Sequence, residues 1–408
     1  MKKVVLIIGL CLATTVMFAQ KAAVTSAERM AKDSRSNIND ARNLIKGALE
    51  NAETKGDAKT WYVAGQVEDA QFNRENTKQI LGQKPNEPVM YDALGKALPF
   101  FLKAYELDQL PDAKSGKPKP KFDKSIKGVL AANHIYYINA GGYWFTEQDY
   151  QKAFNFFEQF LEIANLPFMA GTKAAARDSN FMIVQYYAAI VATQLNNPEL
   201  AIKALKRAKD TPYEQNNIYQ YLCGEYEQLK DSVNLEKTLE EGLRVFPDSS
   251  YYLFNLINMY IGSEKNEKAI EMLNSAISKN PSNPQLYQAL GSVYERGKKD
   301  DDKAIANYEK AIELDPNSAI HQFNLGRIYY NWGVNKLNEV NQITDANLYN
   351  QGKAEVKALF QKARPLLEKS HQINPKDVEC MIGLRSIYYN LDMGKELDEI
   401  SAKIDSLY

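Results

Sequence analysis

The chain has 408 residues, with 50 Lys and Arg against 51 Asp and Glu, a net charge of −1, three Cys and three His. That balance excludes the clustered basic surplus of a nucleic-acid binder. So few cysteines make no disulfide framework, and His134, His321 and His371 are scattered without the spacing of a zinc site, so no metal or cofactor is expected.

The first predicted element is residues 1–19. Lys2 and Lys3 precede an apolar run from Val4 to Phe18, and Ala19 and Gln20 follow. This is the order of a secretory signal. The run is shorter than the ~20 apolar residues of a membrane span, and Leu10 is too bulky for Cys11 to mark a lipoprotein site. The chain is therefore expected to be exported and cut near Ala19–Gln20, to reside in the periplasm or cell envelope, and to have no membrane span after cleavage.

Residues 20–180 are read as divergent helix pairs with insertions. "DARNLIKGALENAETKGDAKTWYVAGQ" gives a second helix and then a first helix containing Trp61 and Gly65. The partner of that first helix, with Ala97, Phe101 and Ala104, arrives late, after the insertion "ENTKQILGQKPNEP". A second insertion, "LPDAKSGKPKPKFDK", precedes a pair with Tyr137, Ala140, Gly141 and Trp144, then Ala153, Phe157 and Phe160. A third, "NLPFMAGTKAAARDSN", leads into residue 181.

From residue 181 to 377 the pattern becomes regular. Ala201, Leu205 and Ala208 recur 34 residues on as Leu235, Leu239 and Gly242, again as Ala269, Leu273 and Ala276, and 35 residues on as Ala304, Tyr308 and Ala311. Pro247, Pro281 and Pro316 close three of these stretches. Each is preceded by another stripe: Tyr219, Leu222, Cys223 and Tyr226; Leu253, Leu256, Ile257 and Tyr260; Tyr287, Leu290, Gly291 and Tyr294. Spacings of three, one and three lie along one face of a helix. The unit is thus helix, turn, helix, with one extra residue expected in the turn after Tyr294. Ala363, Leu367, Ser370 and Pro375 fit the same frame, after an insertion near 333–358 whose apolar spacing predicts two lengthened helices. Residues 378–408, with Leu384, Tyr388, Leu397, Ile400 and Ile404, form the expected capping pair.

This period and these positions resemble the tetratricopeptide (TPR) repeat, whose signature runs bulky residue, Leu-Gly, Tyr, Ala, aromatic, Ala, Pro. The fullest copy is Tyr287, Leu290, Gly291, Tyr294, Ala304, Tyr308, Ala311, Pro316. The resemblance implies an all-α solenoid of stacked repeats forming a superhelix, because no single pair can bury its apolar face alone. It also implies small residues where paired helices cross, here Gly65, Gly141, Ala189, Cys223, Gly291 and Gly326, with Ile257 and Arg385 departing from the rule.

In that family the first helices line a concave groove. Carried over residue by residue, the groove would hold Tyr186, Gln220, Phe254, Asn258, Gln288, Phe323, Arg327, Tyr330, Asn331, Tyr389 and Asn390. Some members clamp a terminal carboxylate with Lys and Asn; Phe254 and Phe323 stand where Lys would be needed, so no such clamp is expected. Phosphate loops, Gly-x-Ser-x-Gly elbows and paired helical histidines are missing from the sequence. The expectation is a non-enzymatic scaffold that binds a protein or peptide partner and no nucleic acid. The alternative is an envelope-assembly or carbohydrate-handling accessory that holds glycan through groove aromatics.

Overall fold

The computed structural model describes residues 20–112 and 115–407; the signal-like segment 1–19 lies outside the described residues. The described residues are predominantly helical, with no β-strand among them and one isolated antiparallel bridge between Pro111 and Pro118. The fold is the expected all-α stack of helix pairs. Among the described residues no helix is long and apolar enough to cross a membrane.

The chain divides into two compact units, Met1–Leu235 and Glu236–Tyr408. The first holds α1 (residues 20–32), α2 (Ile38–Glu50), α3 (Ala58–Ile80), α4 (Glu87–Asp108), α5 (Asp123–Thr146), α6 (Tyr150–Asn165), α7 (Ser179–Thr193), α8 (Pro198–Ala208) and α9 (Gln215–Gln228). Helix α10 (Ser232–Val245) spans the division. The second unit continues with α11 (Ser250–Gly262), α12 (Asn266–Lys279), α13 (Pro284–Ser292), α14 (Asp301–Leu314), α15 (Ala319–Val340), α16 (Ala346–Ile373), α17 (Val378–Asn390) and α18 (Gly394–Asp405).

Local chemistry sets these boundaries. Asn86, Asn197 and Asn283 cap α4, α8 and α13 by accepting from backbone N–H groups, each with a proline in the first turn. Such caps satisfy amides that the helix itself cannot, and proline's fixed φ suits the first position. The insertion that starts at Glu75 is helical at both ends: α3 runs on to Ile80 and α4 begins at Glu87. Likewise α15 and α16 reach 22 and 28 residues, carrying the 333–358 region as helix.

Six of the turns inside the pairs share one device. A single non-glycine residue adopts a left-handed conformation at Gln148, Asn196, Lys230, Glu264, Lys299 and Asp392. In four of these turns the residue after it donates its backbone N–H five positions back, always to an aromatic residue's carbonyl: Asp149 to Trp144, Asp231 to Tyr226, Lys265 to Tyr260 and Met393 to Tyr388, at 2.8–2.9 Å. This is the helix-ending geometry that satisfies otherwise orphaned carbonyls. In a fifth, Asp300 reaches Tyr294, six positions back, at 2.9 Å. The extra residue of this repeat is therefore not in the turn, where the sequence places it. It widens the helix itself, as a π-helical stretch from Val293 to Lys298.

The expected small residues sit at helix crossings. A methyl group added at Gly65 would lie 2.6 Å from the Phe101 ring, at Gly141 2.3 Å from Phe157, and at Gly291 2.7 Å from Tyr308. At Gly326 it would meet Leu367 at 2.9 Å. Each of these four glycines thus receives a large side chain of its partner helix. Arg385, at the equivalent place in α17, is exposed.

Candidate functional site

The first helices of the second unit, α11, α13, α15 and α17, present the predicted residues in three clefts. The first, about 210 Å³, lies between α11 and α13 and is lined by Phe254, Asn258, Gln288 and Ser292 together with Gln285 and Arg296. Phe254 and Gln288 are half-buried, while Asn258 is exposed. Gln288, Ser292 and Arg296 follow one another at spacings of four. Four α-helical residues overshoot one turn, whereas the wider π turn undershoots with the same number. The two deviations offset each other, and Arg296 stays over the cleft.

Arg296 is the functional candidate that the sequence reading missed, because its register assumes that the helix breaks at that residue. Its Nε donates to Ser292 Oγ at 2.9 Å, and its Nη2 also reaches that hydroxyl. Among the described residues no carboxylate forms an ion pair with it.

The second cleft, about 220 Å³, brings together Phe323, Arg327, Tyr330 and Asn331 of α15 with Glu379 and Ile382 of α17. Arg327 does not stand free. Its guanidinium forms a two-point pair with Glu295, Nη1 to Oε1 at 2.9 Å and Nη2 to Oε2 at 3.0 Å. The same carboxylate accepts from the Tyr308 hydroxyl at 2.8 Å. Burial and the nearby Glu295 charge push the Tyr308 phenol well above its ordinary value, so it stays a donor. Arg327 is thus a neutralised strut linking α15 to the π-helix. Phe323 and Tyr330 are half-buried against the core that contains Phe360 and Leu367, leaving ring edges and the exposed Asn331 toward the cleft.

The third cleft, about 520 Å³, pairs Tyr389 and Asn390 with Lys353 and Lys357 of α16. Tyr389 is 71% exposed, whereas Asn390 turns back and donates to the Ser386 carbonyl at 2.8 Å. Asn255 of α11 likewise donates to its own helix, at the Tyr251 carbonyl.

The remaining two predicted residues belong to the first unit. Tyr186 is half-buried and meets Tyr187 and Tyr213 edge-on at 5.3 and 5.4 Å; Gln220 is half-buried on α9. Among the described residues no His, Cys, Asp and Glu side chains gather to hold a metal ion. Cys223 and Cys380 are free and buried.

Residues 298–333 match the TPR repeat family model. The photosystem I assembly protein Ycf3 of Rippkaea orientalis is 27% identical over 137 residues, covering 30% of this chain and 78% of that protein. Among solved structures, MamA is 20% identical with a TM-score of 0.34, covering 45% of this chain and 92% of that one. YrrB, described as a TPR protein with an unusual peptide-binding site, is 17% identical with a TM-score of 0.34, covering 49% and 95%. From Lys298 through α14 into α15, this chain is similar to a tetratricopeptide repeat.

Proposed function

We propose that the chain is a non-enzymatic adaptor that binds a peptide or protein segment along α11, α13 and α15. The observation that supports this most is the recurrence of the same lining positions: Phe254 and Asn258, Gln288 and Ser292, Phe323 and Arg327. Stacked repeats make extended binding surfaces of this kind, and a few aromatic and Arg anchors carry most of the affinity at such surfaces. The ion pair to Glu295 removes Arg327 from the anchors and puts Arg296, with Phe254 and Phe323, in its place. The signal-like residues 1–19 support action in the bacterial envelope after export.

The test is capture from a native envelope extract, comparing the parent with a Phe254→Ala, Phe323→Ala double variant. Capture of a protein by the parent and its loss from the variant, with helicity retained, is the expected result. Each anchor residue is expected to contribute ~2 kcal/mol, about 30-fold in affinity. Enrichment of cell-wall or capsule glycan instead of protein would favour the accessory role that the exposed Tyr389 and the other groove aromatics also suit. Equal capture by both proteins would move the binding surface elsewhere. Export is checked by N-terminal sequencing of the envelope fraction, where a chain beginning near Gln20 is expected and an intact Met1 in the cytosol would refute it.

A further inference from the structure

The first unit contains a separate polar cleft of about 370 Å³ between the end of α1 and one face of α3. Gln66, Asp69 and Asn73 line it at spacings of three and four, which places them on one stripe of α3. Asp69 is half-buried, and its carboxylate accepts only amide donors: Asn133 Nδ2 at 2.6 Å and Asn73 Nδ2 at 2.9 Å.

Two cations line the same cleft, and neither reaches Asp69. Lys32 pairs with Glu28 at 2.7 Å. Arg74 donates both terminal nitrogens to the backbone carbonyls of Ser36 and Asp33, each at 2.7 Å. One arm of the Gln66 amide meets the Tyr62 hydroxyl at 3.1 Å; the other, Oε1, is buried with no partner. A shielded carboxylate without a counter-ion is unfavourable, and burial accordingly raises the Asp69 carboxyl above its usual range. An orphaned amide arm one helical turn away adds to that cost.

We propose that this cleft binds a compact organic cation, a primary ammonium or a guanidinium group, with Asp69 as its counter-ion and, once the Gln66 side chain turns toward the cleft, the Gln66 carbonyl as a second acceptor. An ammonium has three donors and no acceptor. One donor meets Asp69, and another removes the unpaired state of Gln66. The apolar stem that carries such a group fits against Ala31, Ala70 and Val129 at the cleft wall. The cation has two sources, a free small amine or a Lys or Arg side chain of a partner. This proposal is independent of the peptide-binding reading of the second unit.

Isothermal titration of the full chain distinguishes the sources, with 1,5-diaminopentane, Nα-acetyl-lysine amide and Nα-acetyl-arginine amide as cationic probes. The ε-acetylated lysine amide and maltotriose serve as neutral controls. Binding of at least one cation and of neither neutral probe is expected. Diamine alone assigns the site to free amines, and the lysine or arginine amide assigns it to a side chain. Asp69→Asn keeps the side-chain shape and should weaken binding about tenfold or more, as loss of a charge-assisted bond does. Gln66→Leu should weaken it less, and this variant decides the matter if Asp69→Asn does not fold. No heat with any cation, unchanged affinity in both variants, or equal binding of maltotriose would overturn the proposal.

Discussion

Gly141 and Gly142 are neighbours in the interior of α5, and the packing of the first unit predicts opposite outcomes when each becomes alanine. At Gly142 an added methyl meets nothing within 4 Å. Alanine there stabilises the helix by about 0.5–1 kcal/mol, because glycine loses more backbone freedom on folding. At Gly141 the methyl would lie 2.3, 2.6 and 2.8 Å from three atoms of the Phe157 ring, which is 3% exposed and packed in the main core. Overpacking of that kind costs ~1–3 kcal/mol, partly offset by the same helix gain. The two variants should therefore differ by ~1–3 kcal/mol. Thermal unfolding reads this as several degrees, at about 2–4 °C per kcal/mol for a unit of this size. Repeat arrays need not unfold in one step, so amide exchange in α5 and α6 is the more local readout. If Gly141→Ala stabilises as much as Gly142→Ala, the helices do not cross where the structure puts them, and the account of the small-residue position fails.

Glycine in place of Lys230 or Glu264, both left-handed, should relieve strain and stabilise by up to ~1 kcal/mol in denaturant titration, and a loss of stability would refute the turn geometry. Glu295→Gln should cost about 1–3 kcal/mol by weakening the bonds to Arg327 and Tyr308, and unchanged amide exchange in α14 and α15 would show that the strut is idle. Burial pushes the Cys223 thiol up to about 12 and the Cys380 thiol up to about 11, so a thiol reagent at pH 8 should find neither in the folded chain lacking residues 1–19 and both after unfolding. Burial lowers the affinity of His134, His321 and His371 for protons. Below about pH 6.5 the unfolded chain therefore binds more protons than the folded one, and stability should fall as the pH drops through that value, whereas a flat profile from pH 7 to 5 would contradict their burial.

The helix pairs were legible because stacking demands the same residue types at the same places. Small residues at 65, 141, 291 and 326 can be read from spacing alone, since the partner side chains Phe101, Phe157, Tyr308 and Leu367 recur in step with them. The groove positions were legible only as directions along a helix. Whether a side chain there is free depends on neighbours that periodicity does not specify. Arg327 is held by Glu295, 32 residues away, and Asn390 by its own helix. Arg296 escaped notice because its face depends on a π turn, and a one-residue excess can be placed in a turn or a helix with equal ease on paper. The cleft beside Asp69 carries no signal in the repeat frame. Its defining fact is where Lys32 and Arg74 donate, and two of those acceptors are backbone carbonyls, which every sequence possesses.

The π-helix from Val293 to Lys298 also shows how the array handles a counting error. In a β-strand, one surplus residue turns every later side chain to the opposite face. Here the surplus is confined to a single widened turn. Tyr294 keeps its role as acceptor, Lys299 assumes the left-handed conformation found at Glu264 and Lys230, and α14 buries Ala304, Tyr308 and Ala311. The correction is made before the next wall is laid, so it does not propagate. A solenoid built in this way has a tolerance in its bookkeeping of length: units of 34 and 35 residues are interchangeable parts, and a change in one can re-aim a single side chain such as Arg296 while leaving the frame of those that follow intact.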